Sequence, residues 1–255
     1  MSRVAVITGG AGGLGQAFAA MLVKQDWHVV LVDLPAALDA LPEQGQAVEC
    51  VACDLTDDAA VERECAGIVS RHPAIDLVVH NAGVTQIDLF EATTIASQRL
   101  VMEINHFGSV RMAAGLLNAV RAAKGSHLAV SSVAGFSPLY KRTAYAASKH
   151  AMNGFFLSLA AEEARHGVSV TVAAPSFVAT NPGRYDFGAE GVGRPGAATD
   201  GFDEMRPEQA AAIILDGWRK GRRFVPVGRV ARMAWLINRL SPGLYDRIMR
   251  RKVEN

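Results

Sequence analysis

Tyr145 and Lys149 stand four residues apart, so on a helix they share one face, one turn from each other. A tyrosine hydroxyl is a poor base near neutral pH, with an ordinary pKa of about 10. A lysine ammonium beside it favours the phenolate and lowers that value. The pair is therefore suited to proton transfer near physiological pH. An amphipathic helix can also carry Tyr and Lys at this interval for packing alone, so the rest of the chain must decide. Ser131-Ser132 precedes the pair, with Ser132 thirteen positions before Tyr145.

A second group of residues is built for phosphate. Val4–Ile7 is a short β-branched run that stops at Thr8-Gly-Gly-Ala-Gly-Gly-Leu-Gly15, and an amphipathic stretch follows with Leu14, Phe18, Met21 and Leu22 at helical spacing. In a strand–turn–helix context, Gly9, Gly12, Gly13 and Gly15 permit a tight turn and close backbone approach. Around Leu14 the helix N-terminus supplies free N–H groups and a positive dipole end. The next strand, His28–Asp33, ends in an acid 18 residues past Gly15, where a carboxylate accepts hydrogen bonds from adenosine ribose hydroxyls. No Lys or Arg stands in the glycine loop or directly after Asp33, so the cofactor expected is NAD, with NADP disfavoured by charge repulsion. Ile75–His80 runs into Asn81-Ala82-Gly83, small residues that leave room for a cofactor ring or ribose against the backbone.

These groups need elements to position them. Strands are expected at Val4–Ile7, His28–Asp33, Ala47–Ala52, Ile75–His80, Ser126–Val130, Val168–Ala173 and Arg223–Val227. Helices are expected after the glycine loop and over Asp57–Arg71 with Asp57 as cap. A long pattern from Ile95 to Ala123 is interrupted near Asn105 and Gly108, and further helices are expected at Thr143–His166 and Pro207–Lys220. The alternation implies an α/β fold, a single doubly wound domain with a mostly parallel seven-stranded sheet covered on both faces. The domain is expected over residues 1–228, with a Gly-, Ala- and Pro-rich lid at about 181–205. A basic amphipathic helical extension is expected over 229–255.

Composition is that of a globular enzyme: 50% hydrophobic, 20% charged, net charge +1 over 255 residues, which offers no overall attraction to nucleic acid. Cys50 and Cys53 form a C-x-x-C without a second pair or His at zinc spacing, and with Cys65 they read as ordinary reduced thiols. Met1-Ser2-Arg3 leads straight into a strand and no apolar run reaches 18 residues, so neither a signal peptide nor a membrane span is expected, and the location expected is cytoplasmic.

With these motifs in order, the chain resembles the short-chain dehydrogenase/reductase family over about residues 3–230. The likeness rests on Thr8-Gly9-x-x-x-Gly13-x-Gly15, Asp54-Leu55, Asn81-Ala82-Gly83, Asn105, Ser132 and Tyr145-x-x-x-Lys149. Pro175-Ser176 departs from a more usual Pro-Gly, and His80 from a more usual Asn. The resemblance implies that Tyr145 is the general acid/base, that Lys149 holds the nicotinamide ribose and lowers the tyrosine pKa, and that Ser132 hydrogen-bonds the substrate oxygen. It further implies that Asn105 holds a water through its backbone carbonyl as part of a proton relay. The loop around Gly12, Gly13 and Leu14 would follow the pyrophosphate, with Asp54 and Leu55 at the adenine. Asn81, Ala82 and Gly83 would line the cofactor, with Pro175 beside the nicotinamide and Val178 and Thr180 at its carboxamide. A homodimer or homotetramer through the helices around Asn105–Ala123 and Tyr145–His166 is implied as well.

The substrate is expected to be a small hydrophobic secondary alcohol or its ketone (sterol-like, long-chain or aromatic), with Phe136, Leu139 and Phe177 as pocket residues beside Ser132 and Tyr145. Core packing serves equally for any one of the three. Residues 219–255 carry eleven Lys or Arg against Asp246 and Glu254, a local net of +9. This basic amphipathic tail is expected either to touch an anionic membrane peripherally, to cap the active site, or to pack on its own or a partner subunit. The competing readings are a carbonyl or 3-oxoacyl reductase and a non-catalytic dinucleotide sensor.

Overall fold

The computed structural model describes residues 2–180, 191–193 and 204–253, the last six of these by backbone only. Seven strands form one parallel sheet: β1 (Val4–Thr8), β2 (His28–Asp33), β3 (Val48–Ala52), β4 (Leu77–His80), β6 (Ser126–Val130), β7 (Ser169–Pro175) and β9 (Phe224–Val227). Their spatial order is β3-β2-β1-β4-β6-β7-β9, so the direction of winding reverses between β1 and β4. In open α/β sheets ligands bind at such a reversal, outside the carboxyl ends of the strands.

The apolar runs follow from burial on both faces. In β1, Ala5 and Ile7 point to a core shared with Leu14, Phe18 and Leu22 of α1 (Gly13–Val23) and with Ala210, Ile214 and Leu215 of α7 (Pro207–Arg219). Val4 and Val6 point the other way, to Val61 and Ile68 of α3 (Asp58–Arg71) and Met112 and Leu116 of α5 (Gly108–Ala123). A short helix, α2 (Pro35–Asp39), follows β2. The Asp57 side chain caps α3 by accepting the Ala60 N–H at 3.0 Å, as its residue type favours. The helix α6 (Thr143–Glu163) is tied to α5 by a two-pronged ion pair, Arg121 Nε to Glu163 Oε2 at 2.7 Å and Nη2 to Oε1 at 2.5 Å.

Three features were not foreseen in this form. The Ile95–Ala123 pattern is α4 (Ile95–Met102), a π-turn at Glu103–Phe107, and then α5, with the break centred on Asn105. Such a turn inserts a residue into the helix and re-aims its side chains. Ser169–Pro175 extends two residues beyond the expected strand end, Pro175 standing opposite Val227. A small antiparallel pair, β5 (Thr85–Gln86) with β8 (Val192–Gly193), pins residues 191–193 of the expected lid beside the Asn81–Gly83 turn. The rest of that lid, apart from residues 204 and 205, lies outside the described residues. The chain closes with α8 (Arg229–Leu240) and α9 (Pro242–Val253).

The three cysteines are free, and burial pushes the Cys53 thiol up to about 11 and the Cys65 thiol up to about 12. Among the described residues no helix is long and apolar enough to cross a membrane.

Candidate active site

The glycine loop is held from both sides. Gly9 has φ +64°, which favours glycine, and a Cβ there would lie 2.8 Å from Ala82 Cα. A strap from the end of β4 crosses this point: the Asn81 and Ala82 N–H groups donate to Thr8 Oγ1 at 3.0 and 3.1 Å. Asn81 Nδ2 donates to the carbonyls of Thr8 and Gly9, each at 3.1 Å. Gly12 then stands at the N-cap of α1 with no side-chain cap and no acid in the first turn, leaving the positive helix end open. A Cβ on Gly13 would sit 2.6 Å from the Thr180 carbonyl oxygen, so the segment after β7 passes over the start of α1. Asp33 reaches back to the loop: Oδ2 accepts the Ala11 N–H at 2.9 Å and Oδ1 the Leu34 N–H at 2.8 Å.

Across the reversal point the residues expected to transfer protons converge. Ser132 ends the β6 segment, and its Oγ accepts the Ala134 N–H at 3.1 Å, which fixes its rotamer. The Ser132 side chain also acts on the Tyr145 phenol, favouring its ionised form. Lys149, one turn along α6, is buried and donates from Nζ to the Val130 carbonyl at 2.9 Å. A Cβ on Gly83 would lie 3.6 Å from that ammonium and 3.0 Å from Asn105 Oδ1, so Gly83, Asn105 and Lys149 meet. The Asn105 side chain clamps the adjacent backbone, its Oδ1 accepting the Val84 N–H at 2.7 Å and its Nδ2 donating to Val84 O and Ser148 Oγ, both at 2.9 Å.

The electrostatics differ from the sequence expectation in one respect. Burial raises the Tyr145 phenol above its ordinary 10, while the Ser132 hydrogen bond and the Arg142 charge work against that rise. The Lys149 ammonium is engaged elsewhere. Its Nζ lies 5.9 Å from the Tyr145 ring centroid and points to Val130, and burial itself pulls the ammonium down to about 8. Arg142, whose Nη1 donates to Thr85 Oγ1 at 3.2 Å, is the cation that acts on Tyr145, and nothing in the spacing of the sequence signalled it.

Several expected site residues have structural partners of their own. Asp54 Oδ1 accepts from both the N–H and the hydroxyl of Thr56, at 2.9 and 2.8 Å, in a local turn, and Leu55 is buried in the core between α3 and α5. The Asn105 carbonyl accepts the Ser109 hydroxyl at 3.0 Å. Phe136 packs under α8 with Val133, Ala231, Ala234 and Tyr245, and edge-on to Phe224 at 5.7 Å. Leu139 and Phe177 are half-buried, and the Phe177 carbonyl accepts the Met205 N–H at 3.0 Å. Val178 is buried and bridges to Met205. His80, the departure at the end of β4, stacks with His127 deep in the fold, and burial lowers both, His127 to about 4.

Residues 3–187 match the family model described as short chain dehydrogenase. The chain belongs to that family. It is 30% identical to Dehydrogenase/reductase SDR family member 7B of Xenopus laevis over 261 residues, covering 97% of this chain and 81% of the relative. A short-chain dehydrogenase structure from Streptomyces avermitilis superposes with a TM-score of 0.80 at 26% identity, over 99% of this chain and 98% of that one. One from Burkholderia cenocepacia J2315, in complex with NADP, gives 0.83 at 23%, covering 97% of each chain. The short-chain dehydrogenase fold and an oxidoreductase ancestry are thus shared along nearly the whole chain.

The buried ammonium makes a stability prediction. Lys149 protonates at about 8 when folded and at an ordinary 10.5 when unfolded, so below pH 8 the fold carries the full cost of burying the charge. That gap corresponds to about 3 kcal/mol as an upper bound, relieved as pH rises from about 8 to 10.5. Urea unfolding is expected to show wild-type stability rising over this window relative to Lys149→Met. It is also expected to show the variant more stable at pH 7 by about 1 kcal/mol or more, the orphaned Val130 carbonyl taking back part of the gain. Parallel pH profiles would contradict the buried, hydrogen-bonded ammonium.

Proposed function

We propose that this short-chain dehydrogenase is an NAD-dependent oxidoreductase interconverting a hydrophobic secondary alcohol and its ketone, with Tyr145 as general acid/base. The observation that carries the reading is the Ser132–Tyr145 hydroxyl pair with Lys149 one turn away, set at the reversal point of the sheet beside the glycine loop. The loop fits a dinucleotide: side-chain-free positions at Gly9, Gly12, Gly13 and Gly15 front a helix end without an acid. A nicotinamide cofactor, when bound, supplies the acceptor or donor of the hydride.

The protein's own groups do the rest. Tyr145 takes the alcohol proton during oxidation and returns it during reduction. Ser132 hydrogen-bonds the substrate oxygen and stabilises charge growing there. Lys149, still largely protonated at pH 7, brings positive charge to the ribose side of the site; rotation of its Nζ from Val130 toward Tyr145 would lower the phenol's pKa. Asp33 favours NAD because its carboxylate accepts ribose hydroxyls and repels a 2′-phosphate. Reduction of a ketone or a 3-oxoacyl group would use the same residues in reverse.

Turnover followed by nicotinamide absorbance, over a panel of hydrophobic secondary alcohols and their ketones, tests this. Tyr145→Phe is expected to lower kcat by at least about 100-fold with cofactor affinity retained, and NAD is expected to be preferred over NADP. Equal turnover by the variant would remove Tyr145 from the chemistry, and a preference for NADP would reverse the reading of Asp33.

The C-terminal helices support a membrane-facing role in delivering such substrates. Ala231, Ala234 and Tyr245 seat them against Val133 and Phe136, next to Ser132, while Met233, Leu236, Leu240 and Leu244 on the same two helices are exposed, Leu240 by 75%. Arg232 and Arg239 flank this apolar stripe, a pattern suited to an anionic interface. Liposomes of mixed anionic phospholipid are expected to sediment the wild type several-fold more than a Met233→Ser/Leu236→Ser/Leu240→Ser triple variant. Equal sedimentation would leave these helices a surface-exposed cap only.

A further inference from the structure

His28, Glu49 and His72 are far apart in sequence and lie together at the amino ends of the strands, away from the glycine loop. His28 opens β2, Glu49 is the second residue of β3, and His72 follows α3 as its C-cap. Glu49 stands opposite Val30, so His28, two residues earlier on the same face, is its diagonal neighbour. The chain leaving α3 brings His72 over the pair. His72 Nε2 lies 2.9 Å and His28 Nε2 3.7 Å from Glu49 Oε2, and the imidazole centroids are 4.9 Å apart. The three potential donor atoms all fall within 4.8 Å of one another.

Two further observations point to a ligand. His28 Nε2 is buried and makes no hydrogen bond, a costly state for an imidazole nitrogen aimed into a polar cluster. Glu49 is divided between two tasks: Oε1 is taken by Arg71 through Nε at 2.9 Å and through Nη2, which leaves Oε2 facing the two histidines. Arg71 thereby orients the carboxylate as outer partners of metal ligands do. Burial pushes the Glu49 carboxyl up, but hydrogen bonds from His72 and Arg71 outweigh it and hold the group below its ordinary range, ionised at neutral pH.

We propose that His28, Glu49 and His72 form a Zn²⁺ site, distinct from the active site, that joins β2, β3 and the end of α3. Two imidazole nitrogens and one carboxylate oxygen are borderline-to-hard donors that suit zinc. Zinc bonds of about 2.0–2.1 Å in a tetrahedron separate ligand atoms by about 3.3 Å, within the spread of the separations seen. The three side chains keep 17–25% of their surface exposed, so the cluster lies close to solvent. The role is structural: an ion that binds only the folded state stabilises it by mass action. The positive Arg71 beside the site limits affinity, so binding in the micromolar range is expected rather than that of a closed structural site. Metal binding releases the protons its ligands carry, so affinity falls as the solution is made more acidic.

Calorimetric titration of the chelator-treated, full-length protein with ZnCl₂ is the test, with thermal unfolding at each zinc concentration as the second readout. One Zn²⁺ per chain is expected at pH 7.5, with a midpoint that rises with zinc and binding at least about 10-fold weaker at pH 5.5. His28→Gln and His72→Gln are each expected to weaken binding at least about 10-fold, while Cys50→Ser leaves it unchanged and excludes thiol capture. Absence of binding by the wild type overturns the proposal, as does binding that survives both histidine variants or is lost in Cys50→Ser. Should a histidine variant fail to fold, the pH dependence of the wild type together with Cys50→Ser decides.

Discussion

A buried ammonium sets the terms for the Ser132–Tyr145 side of the candidate site. Removing a charge from water costs several kcal/mol unless it is paired or hydrogen-bonded, and Lys149 finds its compensation in the Val130 carbonyl at the end of β6. That bond needs α6 close against the β6 segment. The approach is possible because Gly135 has no side chain: a Cβ there would collide with Ser131 Oγ and lie 3.0 Å from the Lys149 carbonyl. Asn153 fastens the same contact by donating to the Gly135 carbonyl at 2.8 Å. Ser132 and Tyr145, on the two elements so joined, are thereby held near each other.

The cofactor side rests on a different device, a strap of Asn81 and Ala82 across the glycine turn. The two halves meet at the reversal of the sheet, where Gly83 touches both the strap and the Lys149–Asn105 corner. The π-turn at Glu103–Phe107 serves this corner, since it turns Asn105 toward the Val84 backbone while the flanking helices continue. The candidate site is thus assembled through close approaches at Gly9, Gly83 and Gly135, where a side chain would crowd its neighbours.

Much of this was legible in the sequence. The apolar runs that became strands are buried on both faces, and alternation with helices leaves few ways to wind a sheet. Asp57 announced its helix, and the weak helical pattern at Asn105 marked a true interruption. Motif spacing gave positions but not directions. The resemblance assigns Asn81, Asp54 and Leu55 to the cofactor, and Phe136 reads equally as pocket wall or core; their side chains serve the glycine strap, a local turn and the core. The tuning of Tyr145 by Arg142 rather than Lys149 depends on rotamers. The β5–β8 pair is too short for periodicity to reveal, and the His28–Glu49–His72 cluster exists only after β2, β3 and α3 have packed.

The most direct test of the account is the ionisation of Tyr145 itself. The chain has four tyrosines, so ¹³Cζ-tyrosine labelling with Tyr145→Phe as the assignment control resolves its signal by NMR. The phenol is predicted to titrate above its ordinary value of about 10 in the free protein and to fall when NAD⁺ binds, as positive charge arrives beside it. A Tyr145 signal that titrates at its ordinary value and does not respond to NAD⁺ would contradict the claim that its surroundings tune this residue for proton transfer.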